Sequence, residues 1–489
     1  MTRLSEAALA GLPDAVERPR YDRGVVTPGI VHLGIGAFHR AHMAAYVDSL
    51  LAAEPDWGII GASLRRPDTR DALAPQDFLY TLAVRDAAGT RCRIIGSLLD
   101  VIDANEDREA LLTLMADAAT RIVSLTVTEK GYCHDPATGA LDVNHPDIRH
   151  DLDRPDMPVS APGMLVEALA RRKAEGIAPF TVMSCDNLPA NGRTVRRILI
   201  AFARLRDSAL ADWLEEGLAC PSTMVDRIVP ATTDADRAEI SGLTGLEDSW
   251  PIVTEPFTQW VIEDHFPLGR PAFDTVGAQM VEDVEPFELM KLRMLNGSHS
   301  SIAYLGYLSG YQHVSEAIAD PGIARLIHGL MTEEVMATLP MPRADLEAYR
   351  DALLSRFANP ALKHRTWQIA MDGTQKLPQR LLGTISDRLA EGLPVARAAL
   401  GVAGWMRYVT GIDEKGTPID VRDPHAARLR TIADAAGRDA TQLADGLFAL
   451  EEVFGTALPQ HTGFRETVTR HLESLFSVGA AETVRRVAG

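Results

Sequence analysis

Residues 30–42 read IVHLGIGAFHRAH. Ile30, Val31 and Leu33 form a short apolar run that ends at Gly34 and Gly36, and FHRAHMAAYVDSLLAA (38–53) follows with helical spacing. A strand that enters a helix through glycines can receive a pyrophosphate. Glycine lets the backbone approach the phosphates, and the helix N-terminus offers unpaired N–H groups. The third glycine of the GxGxxG pattern is replaced by His39, so the turn fits either a dinucleotide site or a tight connection of an α/β protein. The dinucleotide reading places Gly34, Gly36, Ala37, Phe38 and Arg40 beside the cofactor. His39 and His42 have no third ligand nearby in sequence and read as packing residues rather than a metal pair.

Outward from this turn the pattern repeats. WGIIGASL (57–64), RIVSLTVT (121–128) and FTVMSCD (180–186) read as buried strands. DREALLTLMADA (107–118) and GMLVEALARRKAEG (163–176) read as helices before two of them, and ILIAFARLRD (198–207) as another helix. This alternation predicts a parallel α/β sheet. MVDRIVPA (224–231) reads as a further short strand. Beyond about residue 285 the chain becomes helical in texture. The expected organisation is an α/β domain over 1–284 and a mostly α-helical domain over 285–489. The second strand ends at Arg65, Arg66 and Asp68. Asp68 suits the ribose hydroxyl of NAD, while the two arginines suit the extra phosphate of NADP. NAD is the preferred reading and NADP stays open.

The chain of 489 residues is long enough for several hundred residues of core-bearing structure without staples. Its 67 acidic against 49 basic residues give a net charge of −18, which argues against nucleic acid as the partner. Four scattered cysteines, with no CxxC pair, argue against a disulfide scaffold or a zinc knuckle. No apolar run approaches membrane-span length and the N-terminus lacks a signal-peptide core, so a cytoplasmic protein is expected.

The strongest chemical signal is PFELMKLRMLNGSHSSIAYLGYLSG (286–310). On a regular α-helix, with Lys291 at zero, Glu288 falls at about 60°, His299 at about 80° and Asn296 at about 140°. Apolar residues occupy most other directions, which predicts a buried helix carrying polar groups on one arc. A desolvated lysine exchanges its proton near neutrality and suits acid/base work on an alcohol or ketone. Asn296 offers a donor to a developing alkoxide. The alternative is an internal Glu288–Lys291 ion pair with a core histidine. Thr128 and Glu129 end one predicted strand, Asn187 follows another and Asp226 lies within a third. All are placed for a ligand or for turn and capping roles.

GIGAFHRAH, VSLTVTEKGYC, SCDNLPANG, MVDRIVP, EPFTQWVIED and the KxxxxNxxH pattern of Lys291, Asn296 and His299 together resemble the mannitol dehydrogenase family of polyol-specific long-chain dehydrogenases. The resemblance spans nearly the whole chain. It implies an N-terminal Rossmann-type parallel-sheet domain, a helical C-terminal domain and zinc-independent, NAD(P)-linked oxidation of a secondary alcohol. It makes Lys291 the general acid/base, with Asn187 and Asn296 polarising the reacting oxygen. His299 would position the substrate, Asp226 would contact its hydroxyls and Glu288 would relay protons. Within the family the chain is most similar to members acting on a sugar acid, implying D-mannonate and D-fructuronate. Lys130, Arg365 and Lys376 are the cations expected to favour a carboxylate. Mannitol with fructose, or another polyol, is the alternative pair, and a non-catalytic sugar-acid-binding protein the alternative class. Family members act as monomers or small homo-oligomers.

Overall fold

Pro28–Leu33 (β1) is the central strand of a five-stranded parallel sheet in the computed structural model, which describes residues 1–135 and 138–489. The other strands are Gly58–Ser63 (β2), Leu98–Asp103 (β3), Ile122–Leu125 (β4) and Thr181–Ser184 (β5). Their spatial order is β3-β2-β1-β4-β5, with Val31 opposite both Ile60 and Val123. This is the Rossmann order, and it reverses between β1 and β4, where such sheets bind ligands beyond their carboxyl ends. The alternating side chains of β1 feed two cores. Val31 and Leu33 pack with Leu165, Leu169 and Phe202 on one face, while Ile30 packs with Met43, Ile59 and Trp260 on the other.

Local chemistry sets the helices that cover the sheet. Asp107 caps Arg108–Ala116 by accepting from the Ala110 amide, and Ser160 caps Ala161–Ala174 by accepting from Gly163. Asn191–Arg206 carries the third. The helix expected over 38–53 is broken: Ala37–Ala41 and Met43–Leu50 meet at His42, whose φ of −116° and ψ of −94° leave the helical region. The His42 ring bonds through Nε2 to the Gln259 carbonyl and lies near Phe38 and Trp260. That contact sets the kink.

Two smaller sheets were only partly legible. Tyr80–Asp86 and Gly89–Ile95 form a hairpin, and Ile252–Thr254 adds in parallel. The strand expected over 224–231 is Thr223–Asp226, and it pairs antiparallel with Gln259–Glu263 instead of extending the main sheet.

The chain divides into two units, Met1–Glu285 and Pro286–Gly489. Among the described residues the second unit contains helices and no regular strand. Its core includes Tyr304, Trp405 and Tyr408, with Gly297–Leu308 packed against Ala396–Tyr408. Three π-helical segments occur there: Lys291–Asn296, Leu330–Val335 and Pro378–Leu382. The first packs against both others.

Candidate active site

In the first unit, a cavity of about 840 Å³ opens at the carboxyl ends of β1, β2 and β4. Gly34, Gly36, Asp68, Thr128 and Lys130 line it, together with Arg65 and Arg66. Gly34 has φ +89°, and a Cβ there would sit 2.3 Å from the Thr126 carbonyl oxygen, so only glycine fits. Gly36 is exposed at the N-terminus of Ala37–Ala41. A bare backbone therefore faces the cavity where the glycine pattern put it.

The strand beneath is braced by a polar network. The Thr126 hydroxyl donates to the Gly34 carbonyl at 2.8 Å and lies 2.9 Å from His32 Nε2, while His32 Nδ1 lies 2.8 Å from Ser124 Oγ. Thr126 thus accepts from Nε2, and Nδ1 accepts from Ser124. Burial pushes His32 down to about 3, so it is neutral. His39 stacks on it with ring centroids 3.5 Å apart. The residue in the third glycine position is a packing group.

Thr128 sits at φ +65°, ψ 164°, a region disfavoured for any side chain. Asp186 holds it there. Its carboxylate accepts from the amides of Val127 (2.9 Å) and Thr128 (3.0 Å) and from the Tyr132 hydroxyl (2.7 Å). Burial pushes this carboxyl up, against those hydrogen bonds. In sequence Asp186 is only the last residue of the predicted strand 180–186. No spacing rule links it to residue 128, which lies just beyond the neighbouring strand β4.

Ala37, Phe38 and Glu129 do not line the cavity. Arg40 is buried, with Nη1 donating to the Trp250 carbonyl at 2.6 Å and the guanidinium over the Tyr80 ring. Burial brings it down to about 10. Its partner Trp250 is itself on the cavity lining. Asp68 is exposed and paired with Arg66 at 3.4 Å. Lys130, expected at a substrate carboxylate, stands on the same wall as Gly34 and Gly36.

No metal-ligand cluster was read from the sequence, yet the fold gathers Cys133, His145 and Asp147 with ligand atoms within 4.8 Å of one another on this cavity wall. His145 Nδ1 there accepts from the Asp147 amide at 3.2 Å, a capping role for Pro146–Asp153. Asn187 is exposed just beyond β5, and Asp226 is the buried last residue of its strand. Asn191 is structural: it donates to the Ser184 and Thr223 carbonyls and accepts from the Thr223 amide.

In the second unit, the segment expected to be a regular helix is not one. Glu288 lies on Glu285–Met290, Lys291 opens the π-helical turn, Asn296 closes it and His299 follows on Gly297–Leu308. The Gly297 amide bonds to the Leu292 carbonyl, five residues back. A π turn brings residues five apart close to one face, so Lys291 and Asn296 are nearer in azimuth than the α-helical 140° implied. Such turns concentrate at functional sites. The helix is buried from Gly297 onward, whereas Glu288, Lys291 and Asn296 are half-buried and keep access to a ligand.

The end of the turn is closely packed. A Cβ on Gly297 would lie 2.6 Å from the Arg380 carbonyl, so the π segment Pro378–Leu382 rests directly on it. His299 is buried with its ring 4.8 Å from Phe357 and 5.3 Å from His364. Burial first, then the neighbouring His364, Arg356 and Arg380, pushes it well below the usual histidine range. It is a neutral hydrogen-bonding group. Lys376 is anchored, with Nζ donating to the Met371 carbonyl at 2.6 Å and 3.9 Å from Asp372. Arg365 is exposed and precedes Thr366–Ala370.

Comparison with known proteins accords with this geometry. Residues 28–275 match the mannitol dehydrogenase Rossmann domain and residues 283–476 the mannitol dehydrogenase C-terminal domain. The chain is 48% identical over 476 residues to a D-mannonate oxidoreductase of Escherichia coli, covering 96% of this chain and 97% of that one. It is 42% identical over 492 residues to a mannitol 2-dehydrogenase of Aspergillus fumigatus, covering 98% and 97%. The structure of Pseudomonas fluorescens mannitol 2-dehydrogenase, a ternary complex with NAD and D-mannitol, superposes with a TM-score of 0.87 at 40% identity, covering 99% of each chain.

Proposed function

The chain belongs to the mannitol dehydrogenase family, and from that premise we propose that it interconverts D-mannonate and D-fructuronate with NAD. The observation that carries the chemistry is the π turn that sets Lys291, Asn296 and His299 on consecutive turns of one element. The sugar acid is favoured over the neutral polyol by the higher identity to a D-mannonate oxidoreductase, 48% against 42% and 40% for the two mannitol 2-dehydrogenases.

NAD fits the first unit on physical grounds. The sheet order, the side-chain-free Gly34 and Gly36, and the cavity beyond β1, β2 and β4 suit a pyrophosphate, and Asp68 suits the ribose hydroxyl. When bound, NAD supplies two-electron exchange with the carbinol carbon of the substrate. Lys291 holds the proton of the reacting oxygen. As a neutral amine it accepts that proton during oxidation, and as an ammonium it returns the proton during reduction. The amides of Asn187 and Asn296 donate to the oxygen as charge develops on it. His299, neutral, orients a hydroxyl, and Asp226 binds others. Glu288, half-buried, relays the lysine proton toward water. Lysine and amide donors thus do the polarising that a Lewis acid does elsewhere.

Lys291→Ala tests this assignment. The expected result is a fall in kcat of about 10²–10⁴-fold, the range for a lost general acid/base, with the melting temperature retained. Near-normal kcat in a folded variant would overturn it.

A further inference from the structure

Arg380 is the feature that the catalytic assignment leaves unused. It lies on Pro378–Leu382, the π segment seated on the catalytic turn. Its Nη1 donates to Ser300 Oγ at 3.3 Å. Among the described residues no carboxylate pairs with it. Burial pushes its guanidinium pKa down, with only the Tyr304 hydroxyl opposing. His299 is next to Ser300 in the chain and 5.3 Å from His364, ring to ring. His299 Nε2 and His364 Nδ1 are both enclosed with no protein partner. Arg356 is buried and adds a positive charge that acts on both histidines.

Arg380 is half-buried, and a guanidinium that loses part of its hydration with no counter-ion is stabilised when an anion completes it. A planar fork also matches a carboxylate in two-point contact. We propose that Arg380 forms the subsite that binds the substrate's carboxylate and selects a sugar acid over a neutral polyol. This rests on the proposed mannonate reading, and it reassigns the acid-reading role from Lys130, Arg365 and Lys376. Lys130 stands on the dinucleotide cavity wall, Arg365 is exposed and Lys376 is anchored to backbone carbonyls.

The test compares kcat/KM for D-mannonate and D-mannitol in the wild type, Arg380→Met and Arg380→Lys, with melting curves for each. A hydrogen-bonded charge contact of this kind is worth about 10–100-fold. The mannonate-to-mannitol ratio should therefore fall at least tenfold in Arg380→Met and recover partly in Arg380→Lys. Equal losses on both substrates, or no loss, would overturn the proposal. A wild-type measurement needs no variant to fold: the neutral amide of mannonate should be at least tenfold poorer than mannonate, and equal rates would overturn the proposal. If the wild type proves to oxidise mannitol and not mannonate, the proposed function fails. The subsite is then decided separately. Mannonate inhibiting mannitol oxidation in the wild type but not in Arg380→Met would support it, and mannonate failing to inhibit the wild type would refute it.

Discussion

Gly297→Ala probes the packing that shapes the catalytic turn. The added methyl would lie 2.6 Å from the Arg380 carbonyl oxygen, where ordinary contact begins near 3.4 Å. The start of Gly297–Leu308 and the π segment Pro378–Leu382 must separate by about 0.8 Å, and a backbone carbonyl cannot swing aside as a side-chain tip does. Overpacking of this kind costs about 1–3 kcal/mol, so a melting temperature lower by several degrees is expected. The larger effect is on chemistry. Asn296 and His299 flank the glycine, and a displacement near 1 Å at a reacting centre costs about 100-fold. Stopped-time assays of NADH formation at saturating substrate, beside thermal melts, should show kcat reduced 10–100-fold in a folded protein. A variant that keeps kcat within twofold would refute the idea that close contact at Gly297 positions the site. Equal loss of kcat and of folded protein would reduce the effect to stability.

Asp186→Asn replaces one acceptor oxygen with a donor facing the amides of Val127 and Thr128. Losing a charged hydrogen bond of about 1.5–3 kcal/mol should raise the Kd for NADH about 10–100-fold, measured by fluorescence titration; an unchanged Kd would show that the Thr128 conformation is not used for binding. Acid should destabilise the protein before its carboxylates titrate. Burial pushes His364 and His471 down to about 4 and His32 to about 3. Below about 6.5 the unfolded chain takes up protons at these positions while the native state does not, so stability falls as pH drops from about 6.5 to 4. Melting temperatures should decline across that window, and His471→Gln should decline less steeply; a flat profile would contradict the buried-neutral assignment.

The legible parts of the molecule were those governed by local pattern. Ile30, Val31 and Leu33 are apolar because β1 is covered on both faces. Gly34 is visible because no side chain tolerates its contact with Thr126. Lys291, Asn296 and His299 stand out as polar groups within an apolar run. What escaped depends on distant partners. β3 carries Asp100 and Asp103, and the hairpin before it carries Arg85, Asp86, Arg91 and Arg93, so neither shows a clean apolar period. The break at His42 comes from the Gln259 carbonyl, more than two hundred residues away. Arg40 sits in the glycine motif yet turns inward to Trp250. The π turn and the close seat at Gly297 are not encoded by any periodicity within 286–310.

The most direct test of the proposed reaction is the rate of NADH oxidation with D-fructuronate and with D-fructose at matched concentrations, in the presence of a metal chelator. A strong preference for fructuronate, unaffected by the chelator, is the predicted result. A preference for fructose, or loss of activity to the chelator, would contradict it.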